Sequence, residues 1–324
     1  MLLKSTLKRG ALVAAANWQV TLIQSVADSL FKLLIAAPIL GGVFLVALVL
    51  GAEPREMAAL DWRDLLTTIV AALMSHPIVL TSFLLSLGVV VVGGSIFVFL
   101  VKGGTVATLV HGDEHAGPIE QPPLQFAKVA RGGRFSAEGY IEGCRRLFPR
   151  FCRLGSGLMA VYLLSALVYL SVIWSGGWGL TALFTAFFVS WITLMNLVYL
   201  LLQIVVTADD CSVATAMRRV SAFLRAEPKG IAAVFGVILA LVVCATGASI
   251  LATAALGLIA FVPFFGLAVL PLQILAWLLR GIVFQYLGLT AIGAYLRLYR
   301  GFAARPASRA VGDLAPVGPK PITS

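Results

Sequence analysis

The stretch PIVLTSFLLSLGVVVVGGSIFVFLV, residues 77–101, carries no charge. About 20 apolar residues rising about 1.5 Å each cross a hydrocarbon core of about 30 Å, so this stretch reads as a transmembrane helix. Working outward from it, five more apolar stretches of comparable length follow at residues 33–50, 157–174, 180–206, 230–256 and 264–296. The last two share a run from 231 to 279 without a single charge, in which only Pro263 and Pro271 mark a turn. Composition agrees: 60% of residues are hydrophobic and 12% charged, with a mean hydropathy of +1.00, whereas a soluble chain carries about a quarter charged residues. The sequence therefore predicts an all-α fold, a polytopic transmembrane helical bundle of six spans forming one membrane domain over residues 1–300. Residues 301–324, rich in Pro, Ala and Gly, read as a flexible tail.

Lys and Arg are retained on the cytoplasmic side during insertion, and their distribution orients the spans. The N-terminal segment holds Lys4, Lys8, Arg9 and Lys32. The connection after the second span holds Lys102, Lys128, Arg131, Arg134, Arg145, Arg146, Arg150 and Arg153. Arg218, Arg219, Arg225 and Lys229 follow the fourth span, and Arg297, Arg300, Arg305, Arg309 and Lys320 the sixth. The opposite side has only Arg55 and Arg63, outnumbered by Glu53, Glu56, Asp61 and Asp64. Both termini are thus expected in the cytoplasm. Trp62, Trp174 and Trp178 are expected at the outer headgroups, and Trp18, Tyr295 and Tyr299 at the inner ones. Insertion and attraction to anionic lipid account for the net charge of +10, so no nucleic-acid partner is expected. The apolar run after Arg9 is cut short at Asn17, too early for a signal peptide, and the N-terminus is expected to remain. The four cysteines form no C-x-x-C pair and read as ordinary small residues.

Three segments preceding the hairpins read as amphipathic surface helices. In residues 17–32, Asn17, Thr21, Gln24, Ser25, Asp28 and Lys32 form a polar stripe opposite Trp18, Leu22, Val26 and Leu30. The second sets Tyr140, Ile141, Cys144, Leu147, Phe148 and Phe151 against Glu138, Glu142, Arg145, Arg146 and Arg150, and the third sets Val213, Met217, Val220 and Leu224 against Arg218, Arg219 and Arg225. For the third, Thr207 and Asp210 make a candidate capping box. At an offset of 73 residues, Cys144-Arg-Arg aligns with Met217-Arg-Arg and Gly157 with Gly230. That predicts a threefold plan of surface helix plus hairpin over 4–101, 128–206 and 208–296.

Lys102-Gly-Gly-Thr at the end of the second span, Thr207-Ala-Asp-Asp, and Ala216-Met-Arg-Arg-Val-Ser-Ala-Phe-Leu-Arg carry a resemblance. By these the chain resembles a broad group of bacterial six-helix membrane proteins, among them the membrane domain attached to some glycerophosphodiester phosphodiesterases. The resemblance covers most of the chain and implies architecture. It carries over no catalytic residue.

Arg280 is the one cation inside a predicted span, and such charges face a protein interior, a cavity or a lipid headgroup. Gln273 lies seven residues before it on the same helix face and Gln285 five after, so an anion site on Arg280 stands beside the plainer reading of an arginine that snorkels outward. His111-Gly-Asp-Glu-His115 matches H-x-x-E-H, in which two histidines one turn apart hold zinc and the glutamate serves as base. That match needs a helix, whereas Gly112 and Ala116-Gly117-Pro118 favour a polar loop, so no metal or other cofactor is expected. Asn196 and Gln203 read as interhelical hydrogen-bonding residues, and Gly41, Gly42, Gly88, Gly93 and Gly94 as points of close helix contact. With no P-loop, nucleophile elbow or dinucleotide motif, enzymatic chemistry has no residues to rest on. The expectation is a non-enzymatic scaffold or complex subunit whose Arg145, Arg146, Arg218 and Arg219 meet anionic lipid headgroups, a protein partner or a second copy. The alternative is a transporter or lipid-handling protein with a polar cavity near Arg280.

Overall fold

The computed structural model describes residues 2–50, 67, 71, 74–123, 126–133, 135–175, 178–260 and 266–305. Among these the regular structure is entirely helical: α1 (Leu2–Ala16), α2 (Trp18–Leu50), α3 (Pro77–His115), α4 (Phe126–Arg131), α5 (Ala137–Ser175), α6 (Trp178–Ala208), α7 (Val213–Ala226), α8 (Pro228–Ala260) and α9 (Gly266–Ala303). Six of them are long and apolar enough to cross a membrane. The expected outer-side charges at 53–64, Trp62, the side chains of Trp174 and Trp178, the turn at Pro263 and the tail beyond residue 305 lie outside the described residues.

The chain divides into two compact units, Val26–Phe99 on one hand and Met1–Ser25 with Leu100–Ser324 on the other. In the larger unit the buried side chains gather at one end, here called the base. Val13, Leu109, Leu147, Phe151, Val205, Phe223, Val234, Tyr295 and Leu296 are all buried there. From the base the α5–α6 and α8–α9 hairpins extend as apolar rods whose Leu163, Leu167, Leu183, Phe187, Leu251 and Leu275 are exposed. Lipid covers such surfaces in a bilayer, where a helix needs no apolar core because its backbone is already satisfied internally.

Small residues set the close packing of the base. At Gly10 an added Cβ would come within 2.5 Å of the Thr290 carbonyl oxygen and 2.7 Å of the Ala294 nitrogen, so α1 and α9 cross backbone to backbone. Gly104 likewise meets Tyr140 O at 2.8 Å and Cys144 Sγ at 2.6 Å, which seats α3 against the start of α5. The glycines expected to make such contacts do so less: Gly41, Gly88 and Gly93 meet open space, while Gly42 and Gly94 face only the rings of Phe83 and Phe31. Tyr295 and Tyr299, expected among headgroups, are buried in the base.

The expected surface helix over 17–32 is instead the first half of α2, inside a candidate span that begins at Trp18. Asn17, Thr21, Gln24 and Ser25 are buried, whereas Trp18, Leu22, Val26 and Leu30 are exposed. The two stripes are present, and the polar one faces other helices of the protein rather than water. Asn17 Nδ2 donates to the Gly132 carbonyl at 2.9 Å, and Thr105 Oγ1 donates to Gln24 Oε1 at 3.1 Å. The second expected surface helix is continuous with its span as α5; its Tyr140, Cys144, Leu147 and Phe151 pack inward, whereas Ile141, expected on the same face, is exposed. Of the three expected surface helices, α7 alone is separate from a span. Its cap is Ser212, which accepts from the Thr215 amide; Thr207 belongs to the last turn of α6 and Asp210 sits in the loop at φ +46°. Pro228 opens α8, where an amide would have no partner.

Candidate functional site

Two polar sites stand out in the larger unit, one in the base and one along a span. The base site is a charge cluster built on Asp113, which is 2% exposed. Its Oδ1 accepts from Arg9 Nε at 2.5 Å and its Oδ2 from Arg300 Nη1 at 2.6 Å, joining α1, α3 and α9. Arg9, also buried, reaches Glu120 Oε2 at 2.9 Å and donates to the carbonyls of Gly117 at 2.6 Å and Asp113 at 2.9 Å. Burial alone would lower the Arg9 pKa and raise that of Glu120. For Arg9, hydrogen bonding and charge from Asp113 and then from Glu120 outweigh burial, so its pKa rises; for Glu120, a hydrogen bond from its own backbone amide and then hydrogen bonding and charge from Arg9 outweigh burial, so its pKa falls. A second joint closes around the loop before α7, where Asp209 accepts from Arg219 and from Tyr299, and Asp210 from Arg150. The segments that carry the sequence resemblance are thus packing joints. Gly103 and Gly104 admit α5, Thr105 bonds α2, Asp209 fastens α7 to α9, and Ala216, Val220 and Phe223 are the buried face of α7.

Sequence reading counted Arg9 only among topogenic charges and Asp113 only as part of H-x-x-E-H. The register held a signal for Asp113, since it lies three to seven residues beyond Val106, Leu109 and Val110 on their buried face. His111, Glu114 and His115, by contrast, are exposed, and they lie on the last turn of α3 rather than in the expected loop. Gly112 does not break the helix. It is there because a Cβ would meet the Gly132 carbonyl at 2.8 Å and Asn17 Nδ2 at 2.9 Å. Among the described residues these three form the group able to hold a metal ion, their ligand atoms all within 4.8 Å of one another.

The span site is a groove of about 560 Å³ between α8 and α9. Arg280 and Gln273 both line it, as their seven-residue spacing implies; Gln285 does not. From α8 come Ser249 and Thr253, which sequence reading did not single out because their role depends on the register of the hairpin. The remaining walls are largely alanines and Trp277, Val283 and Phe284. Arg280 lies over the Phe284 ring, 5.6 Å from its centroid, and pairs with no carboxylate among the described residues. α8 and α9 are the two arms of one hairpin, so in chain order Ala245 and Ala248 on α8 and Val283 and Phe284 on α9 line the part of the groove nearer the base. The polar lining is therefore concentrated from Arg280 toward the loop end, and the lining toward the base is apolar.

Of the other expected contacts, Arg145, Arg146 and Arg218 are exposed on the base, whereas Arg219 is tied to Asp209. Asn196 does bond between helices, accepting from Tyr162 at 2.7 Å. All four cysteines are free; Cys144 is buried and Cys244 exposed.

These features define an integral, multi-pass helical membrane protein. Neither protein-family models nor curated proteins nor solved structures give a significant match to the chain.

Proposed function

We propose that this membrane protein binds an anionic phospholipid, with the phosphate on Arg280 and an acyl chain along the alanine-lined part of the α8–α9 groove. The observation that carries this reading is the gradient within one groove. Its cation, amide and hydroxyls lie toward one end and an apolar channel toward the other, the same order as in a lipid. Depth agrees: Arg280 is 20 residues from Arg300, about 30 Å along α9, which is a full hydrocarbon thickness from the charged base. A charge kept at that depth, with no carboxylate paired to it among the described residues, is a site for an anion from the membrane itself. The distribution of Lys and Arg favours a cytoplasmic base, which puts Arg280 at the outer leaflet.

Purification in mild detergent followed by native mass spectrometry tests this. The wild type is expected to retain an anionic phospholipid, Arg280→Lys to retain less and Arg280→Leu to lose it. An identical lipid complement in all three overturns the proposal. A role as a docking platform rests on a separate observation, the exposed Arg145, Arg146 and Arg218 on the base. Each adds about 1 kcal/mol of attraction to an anionic leaflet. Salt-sensitive binding of a partner or of acidic vesicles, lost on substituting these three, is the expected sign of it.

A further inference from the structure

We propose that His111, Glu114 and His115 bind a divalent transition-metal ion of the zinc class on the exposed face of α3. The argument begins with spacing. Residues i, i+3 and i+4 share one helix face, and the histidine rings here lie with centroids 4.2 Å apart. The tautomer is fixed next. His115 Nδ1 lies 2.9 Å from the His111 carbonyl oxygen, and a carbonyl can only accept, so Nδ1 carries the proton. The Nε2 lone pair is thereby presented outward, the arrangement in which a second hydrogen bond orients a metal-binding imidazole.

Glu114 is oriented in a similar way. Arg300 Nη2 holds its Oε1 at 2.9 Å, leaving Oε2 for an ion, and Arg300 is itself anchored on buried Asp113. One nitrogen or oxygen of each residue lies within 4.8 Å of the others, and rotation of the exposed side chains brings the ligand atoms to the roughly 3.3 Å separation of a tetrahedral set with Zn–N near 2.0 Å. Two neutral imidazoles and one carboxylate suit zinc and its neighbours better than calcium or magnesium, which take oxygen. The place is favourable too: α3 ends at His115, and a cation there lies at the negative end of the helix dipole. Water completes the shell. Because Glu114 is shared with Arg300, the ion would couple to the α9 end of the base.

The test uses the full chain with any affinity tag removed, in nanodiscs of neutral lipid, titrated with Zn²⁺ alone by calorimetry. One equivalent is expected to bind. His111→Ala and His115→Ala are each expected to abolish that isotherm, and Arg300→Gln, which removes the partner orienting Glu114, to weaken it about tenfold. Zn²⁺ is also expected to raise the unfolding temperature of the wild type but not of His115→Ala. All three ligands are exposed, so their variants fold as the wild type does, which the unfolding curves without metal check. Zn²⁺ binding or thermal stabilisation that survives in the His111→Ala/His115→Ala double variant overturns the proposal, as does a wild type that binds no Zn²⁺.

Discussion

Gly10 and Gly247 are both helical glycines of the larger unit, yet a Cβ on the first would meet two backbone atoms and on the second nothing within 4 Å. The contrast extends to their surroundings. In the base, helices meet at backbone distance, and charges such as Asp113 are buried because Arg9 and Arg300 neutralise them. Along the hairpins, leucines and phenylalanines are exposed, and the hydrogen bonds between helices, such as Tyr162 to Asn196 and Trp191 to Ser165, join neutral side chains. One chain thus follows two rules. In the base, buried charges are paired with opposite charges; along the spans, apolar surface faces outward and lipid takes the place of a core.

The largest break in this contrast is expected from Asp113→Ala, which removes the buried carboxylate that Arg9 and Arg300 share. Losing one side of a buried ion pair costs about 3–5 kcal/mol, to be read from denaturant unfolding in mixed micelles. Gly10→Ala comes next, since the clash lies with backbone atoms of α9 that cannot swing away. Overpacking of this kind costs about 1–3 kcal/mol in the same assay. Acid should loosen the base more gently through Glu120, whose pKa is held below its ordinary value of 4.5 in the folded protein. The unfolded chain then takes up the proton more readily. The stabilisation is full above pH 4.5 and is lost as pH falls through the lower folded value, so Glu120→Gln is expected to flatten the acid limb of the stability curve. Gly247→Ala should be smallest, within about 0.5 kcal/mol of the wild type.

The spans were legible because lipid imposes one requirement, uninterrupted apolar length, that needs no knowledge of neighbours. The base was not, because its residues have meaning only across long sequence separations. Arg9 and Asp113 are 104 residues apart and α1 packs on α9, so neither partner marks itself locally. The 17–32 stripe shows the limit most clearly. Its two faces could be drawn from the sequence, but periodicity does not say which face meets water, lipid or protein, and the polar one went inward to Gly132 and Thr105. Half of the groove was legible for the same reason: Gln273 and Arg280 share a face of one helix, while Ser249 and Thr253 join them only through the hairpin's register.

The account turns on the claim that α2 enters the bilayer at Trp18 with its apolar stripe toward lipid. Spin labels placed singly at residues 18, 22, 26 and 30, with the native cysteines replaced, measure immersion depth by power saturation in reconstituted vesicles. The expected result is high oxygen accessibility at all four positions and a steady increase in depth, by up to about 18 Å over twelve residues. Four labels at one shallow depth would describe a helix lying on the surface and would contradict it.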